Sequence, residues 1–228
     1  MRGASIQIEI DQVTIILPNG RRLFEIPSCR FDFGAHVLIR GASGKGKTTF
    51  LHMLAGLFLP TTGRVRIGPH DLTEMSDADR CALRRQHIGL VFQKLNLLEH
   101  LTAVENIILA EGTTRAQAMT SLAAVQMADR QNDRASWLSV GEQQRVAVAR
   151  VLAAEPDLLF ADEPTSSLDD RNAEFVMSAL LGAAKGKTLI VVSHDHRVAS
   201  AFQNVMDFDQ WVPARDAVSA REVGGESR

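Results

Sequence analysis

Gly41-Ala42-Ser43-Gly44-Lys45-Gly46-Lys47-Thr48-Thr49 concentrates the residue types that bind a polyphosphate. Its glycines lack Cβ and tolerate positive φ, so the backbone can wrap closely around an anion. The apolar run Val37-Leu38-Ile39 before it reads as a buried strand, and Thr48 to Leu57 after it has helical spacing. Strand, glycine-rich turn and helix form the context of a phosphate-binding loop, with free N–H groups and the helix dipole aimed at the anion. Lys47 would reach the β- and γ-phosphates as a point charge, and the Thr48 hydroxyl would ligate Mg²⁺. The second group is Asp162-Glu163, directly after the apolar run Leu158-Leu159-Phe160-Ala161. Asp162 suits Mg²⁺, held directly or through a water, and Glu163 suits polarising an attacking water as general base. Taken alone this doublet is equally a helix N-cap, and the phosphate loop upstream favours the catalytic reading. Gln93 is neutral and bifunctional, able to touch Mg²⁺ or water and sense the γ-phosphate. His194 has the reach to bond the γ-phosphate and hold water and Glu163 in place. By type alone Gln93 and His194 are also ordinary polar strand ends, and Asp195 and His196 beside His194 weaken the argument from type.

These residues need elements to position them. Ile88–Phe92, Leu158–Ala161 and Thr188–Val192 read, like Val37–Ile39, as buried strands separated by helices, which predicts a parallel sheet with sites at its carboxyl edge. Lys47, Gln93, Asp162, Glu163 and His194 each follow such a strand and should share that edge. Upstream, Ile6, Ile8 and Ile10 alternate with polar residues, Val13–Leu17 continues as a strand, and Pro18-Asn19-Gly20 turns the chain. Leu23–Ile26, Arg30–Phe33 and Arg64–Ile67 read as further short strands of an antiparallel sheet. Asp71–Arg85 reads as a helix capped near Ser76 or Asp77. Between Lys94 and Trp137 the pattern is helical, with one stripe at Leu101, Val104 and Ile108 and another at Ala116, Met119, Ala123 and Met127. After Leu138–Arg145 a helix follows, with Val146, Ala149, Leu152 and Ala153 at its spacing and Pro156 ending it, and Asn172–Ala184 forms another. Val212–Arg228 is polar and expected to fray.

The 228 residues suit one domain with subdomains, and 45% hydrophobic with 23% charged content is that of a soluble globular protein. A net charge of −2 gives no overall electrostatic case for nucleic acid or an anionic membrane surface. No apolar run approaches the roughly 18 residues of a membrane span. The segment after Met1 does not resemble a signal peptide. Cys29 and Cys81 lack metal-type spacing and read as free thiols in a reducing compartment.

Taken in order, these pieces resemble the nucleotide-binding subunit of an ABC transporter. Gly41–Thr49 matches Walker A, Gln93 the Q-loop, Leu138–Gln143 the signature, Leu158–Glu163 Walker B, Ser167-Leu168-Asp169 the D-loop and His194 the switch histidine. The signature Leu-Ser-x-Gly-Glu, opening a helix shortly before Walker B, is specific to ABC ATPases, and the resemblance runs from about Ile6 to about Phe208. It implies an α/β fold: a P-loop NTPase (RecA-like), mostly parallel core with an antiparallel β subdomain and a helical subdomain. Residues 1–228 would form one ABC ATPase domain, with 1–92 and 138–228 as the core and 93–137 as the helical subdomain. It implies ATP and Mg²⁺, the metal held by Thr48, Gln93 and Asp162. It implies a head-to-tail homodimer in which Ser139 and the Gly141 N–H meet the neighbour's γ-phosphate and Asp169 couples the two sites. A separate integral membrane subunit would dock at the groove between Gln93 and the helical subdomain, placing the chain peripherally on the cytoplasmic face of the inner membrane. Val91 to Asn106 is similar to the lipoprotein-release, macrolide-export and cell-division branch, and also to some importers.

Three departures from the family pattern stand out. Lys45 replaces the usual Ser, adding a charge beside the phosphates. Val140 replaces the first signature Gly, adding a Cβ. No Tyr occurs in the chain, whereas the family stacks adenine on an aromatic upstream of Walker A. Leu17 aligns with that position, with Phe24 as a substitute. The alternatives are a soluble ABC-type ATPase acting on nucleic acid or the ribosome, and a degenerate regulatory cassette. The first would carry a coiled-coil insertion, zinc cysteines or fused cassettes. The second is disfavoured by the intact Lys47, Gln93, Asp162, Glu163 and His194.

Overall fold

A computed structural model describes residues 6–110 and 112–213. The tail expected to fray lies outside the described residues from position 214 onward, as does the non-signal reading of residues 1–5. Two sheets organise the molecule. The first is antiparallel and pairs β1 (Ile8–Ile16), β2 (Arg22–Phe31), β4 (Thr62–Ile67) and β5 (His70–Asp71) in the order β2-β1-β4-β5. The second is parallel, with β3 (His36–Arg40), β6 (Ile88–Val91), β7 (Leu158–Asp162), β8 (Thr188–Val192) and β9 (Asn204–Asp207) in the order β6-β7-β8-β3-β9.

The inner strands β3, β7 and β8 of the parallel sheet are buried on both faces, which is why they read as unbroken apolar runs. Side chains alternate across it. Val37, Ile39, Leu158, Phe160, Ile190 and Val192 point to one core, shared with the antiparallel sheet and with Phe50, Leu51 and Leu54 of α1 (Lys47–Leu54). Leu38, Leu159, Ala161, Leu189 and Val191 point to the other. There they meet α3 (Ala103–Ile108), α4 (Arg115–Ala124), α5 (Val140–Ala153) and α6 (Asp170–Ala183). The remaining helices are α2 (Asp77–His87) and α7 (His196–Ala199).

Several expectations need correction. The two strands expected over Leu23–Ile26 and Arg30–Phe33 are one, β2, running through Pro27. A proline removes a ladder donor, and β2 tolerates it because it is the edge strand, next to a kink where Gln12 has φ 48°. The stripe expected at Ala116, Met119 and Ala123 faces solvent, and α4 instead buries Ala118, Ser121 and Leu122. Val125 and Met127, just beyond it, complete that core, so Met127 alone of the expected set is buried. Helix α2 starts six residues later than expected, after Asp71 has joined β5 and Ser76 has capped the helix by accepting from the Asp79 N–H. Helix α1 ends at Leu54, leaving Leu57 43% exposed. Strand β9 was not anticipated: it is an edge strand whose residues are mostly exposed, so it carries no apolar run.

Candidate functional site

The glycine-rich loop joins β3 to α1, and its geometry is that of an anion cradle. Helices α2 to α7 each have a side-chain cap, from Ser76, Thr102, Thr114, Ser139, Asp169 and Asp195. Helix α1 has none, and no acidic residue in its first turn. Its leading N–H groups are therefore left for an external acceptor. Gly46 precedes the helix at φ 107°, and a Cβ there would sit 2.9 Å from Leu23 Cγ and 3.1 Å from Phe24 Cδ1. Only glycine fits, because β2 packs directly beneath the loop. Lys47 is buried and its Nζ donates to the carbonyls of Gly41 (2.8 Å) and Ala42 (2.9 Å), so the ammonium lies within the loop.

Asp162 ends β7 and has the same side-chain direction as Leu158 and Phe160, toward α1. The exposed Thr48 donates its hydroxyl to Asp162 Oδ1 at 3.1 Å. Burial pushes the Asp162 carboxyl above the usual carboxylate range, against the opposing hydrogen bond from Thr48 and the nearby His52. A buried carboxylate held beside a hydroxyl is a hard oxygen donor set, and it fits Mg²⁺. Glu163, the next residue, turns the other way. Its φ of 47° is a left-handed conformation, uncommon for a residue with a Cβ and costing about 1–3 kcal/mol. The surroundings hold it there. Its N–H donates to the Val192 carbonyl (2.8 Å), and its Oε2 accepts from Ser193 Oγ (3.0 Å). Its Oε1 meets the His194 N–H at 3.2 Å and Nδ1 at 2.7 Å. Glu163 is 8% exposed, while the His194 side chain is 56% exposed, so the ring reaches from a fixed carboxylate out to solvent.

A cleft of about 340 Å³ brings the expected residues together. Ser43, Gly44, Gly46, Lys47, Thr48 and Thr49 form one side, Gln93, Glu163 and His194 another, and Leu17 with Leu23 an apolar wall. Gly41, Ala42 and the half-buried Lys45 belong to the same loop. Phe24 is not available as a base-stacking substitute. It is fully buried, edge-on to Phe50 (6.3 Å) and Phe208 (5.3 Å).

Ser139, Gly141 and Asp169 do not line this cleft. Ser139 caps α5 in a box with Glu142, donating its hydroxyl to Oε2 at 2.8 Å. Gly141 is buried, and a Cβ on it would stand 3.0 Å from Asn172 Cγ. Asn172 is in turn held from both sides, donating to Asp169 Oδ2 (2.6 Å) and accepting from Arg145 Nη2 (2.5 Å). The start of α5 and the Asp169 loop are thus one packed unit.

Sequence reasoning missed the residues that do this fixing. Asn172 and Arg145 carry little signal by type, the one clue being that Asn172 stands three residues after the capping Asp169. Ser193 went unread beside His194. Asn106, fully buried, accepts from the Leu98 N–H (2.7 Å) and donates to the carbonyls of Leu98, Leu101 and Thr102, which sets the loop after Gln93. Arg150 of α5 donates to the carbonyls of Leu95 and Asn96, both at 2.8 Å, and ties that loop to the helix.

Comparison with known proteins agrees with this geometry. Residues 25–166 match the ABC transporter family. A lipoprotein-releasing system ATP-binding protein LolD of Xylella fastidiosa is 40% identical over 188 residues, covering 78% of each chain. A macrolide export ATP-binding/permease protein MacB of Burkholderia thailandensis is 33% identical over 231 residues. That alignment takes in 96% of this chain but only 35% of the relative, so the chain spans about a third of that protein's length. Among solved structures, the dimeric ATP-binding cassette MJ0796 in a post-hydrolysis state with ADP and Pi superposes with a TM-score of 0.82. It shares 33% identity, over 88% of this chain and 94% of that one. With this match over most of its length, and with the loop, the paired carboxylates and the capped Ser139 helix in place, the chain belongs to the ABC transporter family.

Proposed function

We propose that this chain is the ATP-hydrolysing cassette of an ABC transporter and that it powers a separate membrane subunit, possession of an ATP-binding protein being what it shares with the lipoprotein-releasing relative. The observation that carries the reading is the split of Asp162 and Glu163, one turned to Thr48 beside the phosphate loop and the other locked against Ser193 and His194. ATP lies with its triphosphate on the α1 N-terminus, and Lys47 leaves its loop carbonyls to neutralise the β- and γ-phosphates. Thr48 and Asp162, with Gln93 in the same cleft, would hold Mg²⁺, which would supply positive charge against the phosphates. Glu163 takes a proton from the water that attacks the γ-phosphorus, the bond to the ADP oxygen breaks, and His194 orients water and γ-phosphate.

The working unit is a head-to-tail homodimer, in which each ATP lies between one subunit's loop and the other's Ser139 and Gly141, with Asp169 coupling the sites. The support is that Ser139 is exposed and lies apart from the cleft of its own chain. Residues 1–92 and 138–228 act as the nucleotide-binding core and 93–137 as the helical subdomain. The membrane subunit docks where Gln93 leads into Leu95–Val104. Among the described residues no helix is long and apolar enough to cross a membrane, which fits a peripheral place on the cytoplasmic face. Mixing Ser139→Arg with Lys47→Ala chains tests the arrangement. The heterodimer keeps one complete site and regains activity that each parent lacks, and mixtures no more active than the parents would overturn it.

A further inference from the structure

The cleft that would receive ATP has no Phe, Tyr or Trp in its lining, and its one aromatic ring, His194, is bound to Glu163. Leu17 and Leu23 form its apolar wall, and Phe24 is sealed in the core. An aromatic surface is available elsewhere, two residues before Ser139. Trp137 is 67% exposed, the most open large hydrophobic among the described residues. An indole left this open to water gains from covering its ring, so it suits a planar apolar partner.

Trp137 is exposed but not loose. It ends a 3-10 turn, Ala135–Trp137, and its N–H donates to the Arg134 carbonyl at 2.9 Å. Gln143 of α5 clamps the turn by donating to the carbonyls of Ala135 (2.9 Å) and Leu138 (3.1 Å). Leu138, buried, pins the chain between Trp137 and Ser139, both of which stay open. The Arg134 guanidinium lies over the Trp137 ring, 5.5 Å from its centroid. That contact fixes the ring and uses one face, leaving the other for a second planar group.

We propose that Trp137 supplies in trans the stacking surface that the cleft lacks, lying against the base of the nucleotide bound to the opposite subunit. The inference rests on the head-to-tail dimer proposed above. If Ser139 meets the neighbour's γ-phosphate, Trp137 stands roughly 7 Å further along the chain, and its side chain adds several ångströms of reach toward the base end of the same nucleotide. The ligand class is a purine nucleoside triphosphate. Its broad π-face gains from a Trp stack, and the indole carries no code for the base edge, so ATP and GTP are held alike. Base recognition then belongs to the closed dimer and not to the single chain.

The test uses the full chain carrying Glu163→Gln, so that nucleotide is bound and not consumed, and follows dimerisation by sedimentation against ATP and UTP. The ATP midpoint is expected to rise about tenfold in Trp137→Ala, the size of one base stack, and to return most of the way in Trp137→Phe. The preference for ATP over UTP is expected to shrink with it. Fluorescence gives a second readout, because the other indole, Trp211, is buried against Phe50 and Phe208. Emission that changes on dimerisation and is missing in Trp137→Phe belongs to Trp137. An unchanged ATP midpoint in Trp137→Ala, or equal shifts for ATP and UTP, overturns the proposal while leaving the dimer intact. A parent chain that stays monomeric at saturating ATP removes the head-to-tail reading, and this inference with it.

Discussion

At the level of single residues, the proposed base Glu163 is held in a left-handed backbone by Val192, Ser193 and His194. That Lys47, Asp162, Glu163, Gln93 and His194 gather at one edge of the parallel sheet was legible because each follows an apolar run that reads as a buried strand. The left-handed backbone at Glu163 was not, because it depends on Val192, Ser193 and His194, which are remote in sequence. Glu163→Gln is expected to keep ATP binding and lose roughly 10²–10⁴-fold in hydrolysis, the usual worth of a positioned base. Phosphate release measured beside nucleotide binding checks this, and an unchanged rate removes Glu163 from the role. Lys47→Ala should lose both, since it deletes the main cation on the phosphates. Burial settled another residue-level question: Phe24 looked able to cover a base, and its place among Phe50 and Phe208 forbids it.

At the level of elements, the inner strands β3, β7 and β8 of the parallel sheet were readable because both their faces are buried. Strands β2 and β9 were misread or missed because edge strands obey looser rules: one admits Pro27 and the other is mostly exposed. The loop after Gln93 separates two neighbours that sequence treats alike. Leu97 packs against the helical core, whereas Leu98 is 43% exposed. Leu98→Glu is therefore expected to leave the melting temperature and basal ATPase rate unchanged and to uncouple transport in vesicles with the membrane subunit. Leu97→Glu should lower the melting temperature as well, because it buries a charge. Asn106→Ala strips the same loop of its internal bonds and should cost about 2–4 kcal/mol, read by denaturant titration. The loop after His194 brings a pH dependence. Asp195 caps α7 and accepts from Arg197 and Thr165, and the Arg197 contact holds its carboxyl down to about 2. A lowered carboxylate stabilises the fold above its ordinary range near 3.9, and that stability fades as pH falls toward 2. Asp195→Asn should melt lower than wild type at neutral pH, with the gap closing in acid. A gap constant with pH would show that the carboxylate charge is not what matters.

At the level of the whole molecule, family and architecture were legible from the order of motifs, while contacts between motifs were not. Gly141 reads in sequence as a residue awaiting a phosphate. In the fold it is also the flat surface on which Asn172 rests, itself bound to Asp169 and Arg145. Gly141→Ala is thus expected to displace the start of α5 and the Asp169 loop together. It should abolish ATP-driven dimerisation in the Glu163→Gln chain while circular dichroism stays that of the wild type. Normal dimerisation by Gly141→Ala would mean that the Asn172 side chain yields more freely than its two partners allow.

The central strand has a consequence for inheritance. Along Leu158–Asp162 successive side chains fall alternately to the two cores, and Asp162 reaches Thr48 only because it shares parity with Leu158 and Phe160. Each apolar residue in that run is fully buried in its own core, so the strand would accept point changes that keep volume and apolarity. It cannot accept one codon more or less. An added residue would send the carboxylate to the helical layer and turn its neighbour toward the magnesium side, leaving composition intact and function scrambled. Volume-conserving apolar substitutions within β7 should therefore be far better tolerated than single-codon insertions or deletions, an asymmetry that a scan of both kinds of change through Leu158–Ala161 would expose.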